Sequence, residues 1–298
     1  VKKATTHKPL KFGELMDGTF RIYKRHFRSV WLFAFLVTSP FTLWIEWWYW
    51  QESKLNFAQT AIPAEKEIMI LVVSTLIWLA VFHPLIQNAC ADLSREEVIG
   101  WKQLFVSSFY NIWKIMISQW LICLLWGLMF AVIVLTVGLP LYFLARLEGT
   151  DDPNLMLWMV FLISLFFFLL PGVYLYVRLS LVIPVLRTEG CSIRQSVIRS
   201  WELTRGAFWS TLGILVCLYL VSIPLAFVLV GMEELSATFY LMPDWLRNVV
   251  YLLATVLIDA LLTPLIPIFF GIFYWNQRAV REAYDLVSQL RLFTGERR

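Results

Sequence analysis

Polar residues are bunched along this chain, and the stretches between the bunches are apolar on every side, with no regular polar face. A helix that crosses a bilayer needs about 20 mostly apolar residues. Six segments meet that length: 30–50, 68–91, 112–144, 155–186, 208–232 and 245–275. The third, fourth and sixth are longer than one crossing requires, and tilt, kinks or an extension beyond the bilayer would absorb the excess. Kinks are expected at Pro171, Pro184, Pro264 and Pro267 within the spans, and at Pro40, Pro140 and Pro224 nearer their ends. The pattern predicts an all-α fold, an integral membrane bundle of about six transmembrane helices forming one membrane domain over 1–298.

Three of the polar bunches have a different pattern, with apolar residues at helical spacing. They align without gaps as FGELMDGTF (12–20), WKQLFVSSF (101–109) and IRQSVIRSW (193–201). Each has a bulky apolar residue, Glu or Gln two positions later, an apolar fifth residue, then Ser or Thr followed by an aromatic. Three units of roughly 90 residues follow from this alignment, approximately 9–91, 92–186 and 187–298. Each unit reads as a short amphipathic helix, one span outward and one span back. Phe12, Leu15, Met16, Tyr23 and Phe27 would form one apolar face; Trp101, Leu104, Phe105, Ile112 and Trp113 a second; Ile193, Val197 and Trp201 a third. Such a helix can lie in the headgroup plane or extend the span that follows it. Ser192-x-x-Gln195 and Ser94-x-x-Glu97 have the spacing of a capping box, which predicts helix starts there.

Composition agrees with lipid as the solvent. The chain is 59% hydrophobic and 15% charged, with 15 Trp, 11 Tyr and 23 Phe among 298 residues. Its mean hydropathy is +0.69. A soluble domain is about 25% charged, and one core of this size could not hide so much apolar surface. The net charge of +4 reflects topology, because Lys and Arg alternate from side to side. Eight precede the first span, three lie between the second and third, four between the fourth and fifth, and five follow the sixth; the opposite loops hold Lys54, Lys66, Arg146 and Arg247. Basic loops are retained in the cytoplasm, so both ends are expected there, in a cell membrane. The basic flanks would attract anionic lipid headgroups, and nucleic acid is not an expected partner. The basic N-terminal region is nearly thirty residues long and no small-x-small site follows the first span, so that span should persist as an anchor.

Chemistry-bearing motifs are scarce. Sequences of the G-x-S-x-G, H-E-x-x-H, Walker and G-x-G-x-x-G types do not occur, and no metal or cofactor is expected. Cys90, Cys123, Cys191 and Cys217 lie in or beside apolar stretches and read as small hydrophobes. Ionisable residues within spans are functional candidates. Asp259 lies mid-span with only Thr263 as a local polar neighbour, so it either bonds another helix or lines a transport path. Arg178 stands about nine residues from the cytoplasmic end of the fourth span, and pairing with Asp259 is one reading of both. Glu46 is read as solvated near the outer interface. His83-Pro84, with Gln87 and Asn88, reads as a kink with hydrogen-bonding side chains, a pH switch at His83 being the alternative.

The stretch YVRLSLVIPVLRTEG (176–190), followed directly by CSIRQSVIRSWELTRGAFW (191–209), resembles a bacterial polytopic membrane family, as does PLKFGELMDGTFRIYKRHF (9–27). That family includes the membrane domain attached to some glycerophosphodiester phosphodiesterases and many stand-alone proteins of unknown role. The matching positions are Arg178, Pro184, Glu189, Ser200, Trp201, Leu203, Gly206, Phe208 and Trp209. The resemblance implies a membrane module and not the phosphodiesterase, whose soluble barrel would not fit in the twenty or so residues after the last span. In the motif itself, Gly206 would turn the chain into the fifth span or let two helices approach, Trp201 and Trp209 would bracket that corner, and Glu189 would accept from Arg194 or cap the local turn. Two functions follow as expectations: a non-enzymatic scaffold or partner subunit of a membrane complex, or a transporter using Asp259 and Arg178.

Overall fold

A computed structural model describes residues 10–55, 64–91, 93, 100–147, 153–238 and 244–282, and among them it is helical with no strand. The helices are α1 (Phe12–Arg25), α2 (Phe27–Leu55), α3 (Ala64–Ile77), α4 (His83–Cys90), α5 (Trp101–Ser108), α6 (Ile112–Ile133) and α7 (Leu139–Leu147). They continue as α8 (Pro153–Leu179), α9 (Val182–Glu189), α10 (Ile193–Thr204), α11 (Phe208–Thr238), α12 (Asp244–Leu262) and α13 (Leu265–Glu282). Wide π-type turns, Trp78–Phe82 and Val134–Gly138, join α3 to α4 and α6 to α7.

Among the described residues, five helical stretches are long and apolar enough to cross a bilayer: Phe27–Tyr49, Lys66–Cys90, Ile112–Leu144, Leu157–Glu189 and Val249–Arg281. The fifth expected span is the start of α11, which counts as a sixth crossing only together with α10, from which it bends by 93°. Outward faces carry large apolar side chains, with Leu128 58%, Leu135 61%, Phe166 70% and Leu170 77% exposed. Hydrocarbon, not water, suits such a surface. The molecule is an integral membrane helical bundle.

The three amphipathic segments share local geometry. Each is preceded by an extended residue, Lys11, Gly100 or Ser192. The Glu or Gln at the third helical position reaches back to accept from that residue's N–H: Glu14 from Lys11 at 2.8 Å, Gln103 from Gly100 at 3.1 Å and Gln195 from Ser192 at 3.1 Å. This half of a capping box satisfies an amide that helix geometry leaves free. Ser192 completes the box as expected, its Oγ accepting from Gln195 N–H at 3.4 Å; Ser94 and Glu97 lie outside the described residues. The buried stripe differs from the apolar face expected from sequence. Positions four and eight face the protein, namely Leu15 and Thr19, Leu104 and Ser108, Ser196 and Ser200, all 2% exposed or less. The closing aromatics Phe20, Phe109 and Trp201 are instead 36%, 51% and 39% exposed.

Among the described residues, the best-buried part is the layer that these helices form with α4, α9 and α13 at one end of the spans. α4, α9 and α13 touch one another, and each is covered by one amphipathic helix: α5 on α4, α10 on α9, α1 on α13. The first two covers follow their inner helix directly in sequence. The third joins the two ends of the described chain, where Leu10 N–H donates to Asn276 Oδ1 at 2.6 Å. Phe269, Phe270, Phe273, Tyr274, Leu104, Leu203 and Ile86 are completely buried here. Against water each such side chain contributes about 1.5–3 kcal/mol. Within hydrocarbon that drive vanishes and only packing and hydrogen bonds remain.

Each returning span is interrupted just before its inner helix, and proline supplies the reason. Proline has no N–H and its ring crowds the carbonyl four residues back. Pro84 thus releases the Ala80 carbonyl, which accepts from the Trp120 indole at 3.2 Å. Pro184 releases the Ser180 carbonyl, which accepts from Gln87 Nε2 at 3.1 Å. The break at Thr263–Pro264 ends α12, and the Leu261 carbonyl accepts from the Tyr23 hydroxyl at 2.7 Å. The fourth span therefore breaks at Ser180–Leu181, ahead of the proline itself. Pro40, Pro171 and Pro224 instead sit inside unbroken helices.

Candidate functional site

The residues of the family-like motif come together where α10 docks on α8, α9 and α13. The Arg178 guanidinium lies 5.1 Å from the Tyr174 ring and 5.0 Å from the Trp201 ring, two rings that meet each other edge-on with centroids 5.8 Å apart. Its Nη1 donates to the Trp201 carbonyl at 3.4 Å, and Ser200 Oγ donates back to the Arg178 carbonyl at 2.7 Å. Glu189 is tied to Arg199, at 3.5 Å, and not to Arg194 as one sequence reading had it. Arg194 is the second residue of α10 and exposed, whereas Arg199 comes round to face α9. Glu189 also accepts from the Tyr274 hydroxyl at 2.9 Å, and Arg278 donates to that same hydroxyl at 3.1 Å. Pro184 is buried in the first turn of α9. Gly206 has φ +80°, a turn that an L side chain rarely adopts, between α10 and α11. Trp209, just beyond it, is 79% exposed. These residues assemble the layer, and the helix ends α5 and α10 are held the same way. Asn88 Nδ2 donates to the carbonyls of Ser107, Ser108 and Tyr110. Arg187 donates to Ser107 and stacks 4.4 Å from the Tyr110 ring. Arg281 Nε donates to Leu203. Cations at helix C-termini also complement the helix dipole.

The intramembrane candidates do not meet. Asp259, half-buried on α12, accepts from Thr42 Oγ1 of α2 at 3.2 Å, while Thr263 donates to the Asp259 backbone carbonyl and not to its carboxylate. Arg178 is engaged with α10, so the pair weighed from the sequence is not formed. Gln87 is spent on the Ser180 carbonyl.

His83 borders a cavity of about 720 Å³ between the spans. The wall takes Trp78 and Leu79 from the π-turn region, Trp126 from α6, Phe168 and Tyr176 from α8, Leu215 and Tyr219 from α11, and Ile266 from α13. Tyr176 and Tyr219 bring two phenols to this wall. Among the described residues, His83 Nδ1 and Trp126 Nε1 are buried with no protein partner. A smaller space of about 40 Å³ adjoins the same two residues and reaches Gln87, Gln119 and Ser180. Asp259 does not line either space. Sequence reading singled out His83 but not Trp126, Tyr176, Tyr219 or Tyr274, because an aromatic inside a span has no local sign of which neighbour its polar atom meets.

Two groups at the base of α1 have shifted proton affinities. Burial pushes the Tyr23 hydroxyl up to about 12. Burial first, and then the charge of Arg25, holds His26 below its ordinary value of 6.5. Compared with known protein families, with curated proteins and with solved structures, the chain finds no match in any of the three.

Proposed function

We propose that this chain is a non-enzymatic membrane scaffold or partner subunit, seated in a cell membrane with both ends cytoplasmic, its amphipathic layer lying at the inner headgroup level. The observation that supports this reading best is the position of Asp259. Among the described residues, the carboxylate deepest in a span bonds across to Thr42 and is not on the wall of the cavity between the spans. It is used as a tie between α2 and α12, as a scaffold would use it. The exposed Phe20, Phe109 and Trp201 around the layer offer contact to anionic lipid or to a membrane-protein partner. The kinship suggested by the two motif stretches, with the membrane domain attached to some glycerophosphodiester phosphodiesterases, belongs to the same proposal.

The test is photocrosslinking in native membranes with benzoylphenylalanine at position 20, 109 or 201. The scaffold reading expects a protein adduct of one discrete mass from at least one position; lipid adducts alone from all three would remove it. A second reading, transport, is favoured by the cavity itself. Vesicles reconstituted with wild type and Asp259→Asn separate the two. The scaffold reading expects no proton leak from either, and a leak that the substitution abolishes in a folded protein would favour transport.

A further inference from the structure

We propose that the cleft between α5 and the end of α9 is a headgroup site for an anionic phospholipid, its phosphate held between Lys102 and Arg187. The cleft is shallow, open on one side, and has a volume of about 460 Å³. Lys102 and Val106, one turn apart, form its floor on α5, with Gln103 and Ser107 beside them and Tyr110 just beyond the end of the helix. Arg187, in the last turn of α9, closes the far side. Its guanidinium is fixed there. Nη1 donates to the Ser107 carbonyl at 3.3 Å, and the group lies 4.4 Å from the Tyr110 ring. Lys102 is exposed, Arg187 is half-buried, and both line the same space.

Two features commit the occupant. The first is charge. Among the described residues, the wall holds two cations and no Asp or Glu. Lys and Arg give charge-assisted hydrogen bonds to phosphate oxygens, whereas a choline or ethanolamine cation would meet no carboxylate here. The second is the stripe beside the cleft. Trp101, Phe105 and Phe109 follow one another at four-residue steps and are 38%, 43% and 51% exposed. Such aromatics seat where headgroups meet acyl chains. A negative head with apolar chains therefore matches two neighbouring stripes of one helix, and a free phosphate would use only one. The other amphipathic helices lack the arrangement. Where α5 has Lys102, Val106 and Tyr110, α1 has Gly13, Asp17 and Arg21, and α10 has Arg194, Ile198 and Glu202. Each of those stripes carries an acid, so the site belongs to α5 and not to basic flanks in general. The inference rests on the headgroup placement of the layer proposed above.

The probe is phosphatidylglycerol with a diazirine near the carbonyl end of one acyl chain. It is added to the full chain in phosphatidylcholine nanodiscs, and labelled peptides are read by mass spectrometry. Labelling is expected to favour α5 over α1 and α10, to saturate, and to be displaced by plain phosphatidylglycerol but by neither phosphatidylethanolamine nor inorganic phosphate. Lys102→Gln, at an exposed position where the fold is spared, should weaken apparent affinity about fivefold, the worth of one cation at the membrane surface. Lys102→Arg should keep the affinity, and Arg194→Gln on α10 should leave it unchanged. Equal labelling of all three helices, or labelling of α5 indifferent to Lys102→Gln, would mean diffuse attraction to the basic face and overturn the proposal. Displacement by phosphatidylethanolamine would mean annular lipid, and displacement by inorganic phosphate a soluble anion; either would overturn it. Absence of label from α1, α5 and α10 alike would overturn the headgroup placement itself and the site with it.

Discussion

At the scale of single residues, Arg178 shows how a cation is accommodated within a span. Its planar guanidinium is within cation–π distance of both Tyr174 and Trp201, whose rings meet edge-on, and has a donor left for a carbonyl. An ammonium can reach the carbonyl or one ring but lacks the planar fork that serves two rings and a carbonyl together. Arg178→Lys is therefore expected to lower stability by about 1–2 kcal/mol, nearly as much as Arg178→Ala. Thermal unfolding in detergent would check this, and a lysine variant as stable as wild type would contradict the two-ring argument. His26 offers a pH prediction. Its folded-state affinity for protons is depressed by burial and by Arg25, so the unfolded chain takes up the proton first. Stability linked to His26 is complete above about 6.5 and is lost progressively as pH falls from there through the depressed folded-state value. The stability difference between wild type and His26→Phe should shift against wild type between pH 7 and 5; a pH-independent difference would show that His26 is not linked.

At the scale of elements, the break in each returning span is legible from proline, whereas its repair is not. Pro84 and Pro184 each remove a donor at a position readable from the chain, but Trp120 and Gln87, which replace the lost bonds, come from other spans. The pair Gln87 and Pro184 can be tested as a cycle. Gln87→Leu leaves the Ser180 carbonyl bare and should cost about 1–3 kcal/mol. Pro184→Ala restores an N–H within reach of that carbonyl, so Gln87→Leu should cost clearly less in the Pro184→Ala background. Strict additivity of the two changes would disprove the exchange of donors. The amphipathic helices show the same division. Their starts follow from Glu14, Gln103 and Gln195, three residues after the N-cap. Their buried stripe does not: Thr19, Ser108 and Ser200 face inward while the aromatic beside each one faces out.

At the scale of the whole molecule, the layer closes by joining the beginning and end of the described chain. Asn276 accepts from Leu10 N–H at 2.6 Å and donates to the Leu10 carbonyl at 3.4 Å, across 266 positions. Asn276→Leu should loosen α1 from α13 without disturbing the spans. Trypsin cleavage after Lys11 is expected to speed up about fivefold, corresponding to one net hydrogen bond, with helix content unchanged by circular dichroism. Unaltered cleavage would mean that apolar contacts alone hold α1 in place.

The amino-acid sequence alone settles that this is an α-helical membrane bundle and where its amphipathic helices begin, and it offers the prolines at which returning spans can break, Pro171 among them although α8 runs through it unbroken. Those properties depend on runs of neighbouring residues: hydropathy over a span length, a cap three positions away, a proline four after a carbonyl. Tertiary structure alone decides that Asp259 meets Thr42 and not Arg178, which side chains heal the breaks, and that a cavity opens beside His83 and Trp126. Lipid is as apolar as the interior of the bundle, so side chains facing either one look alike in the chain. Only packing separates them.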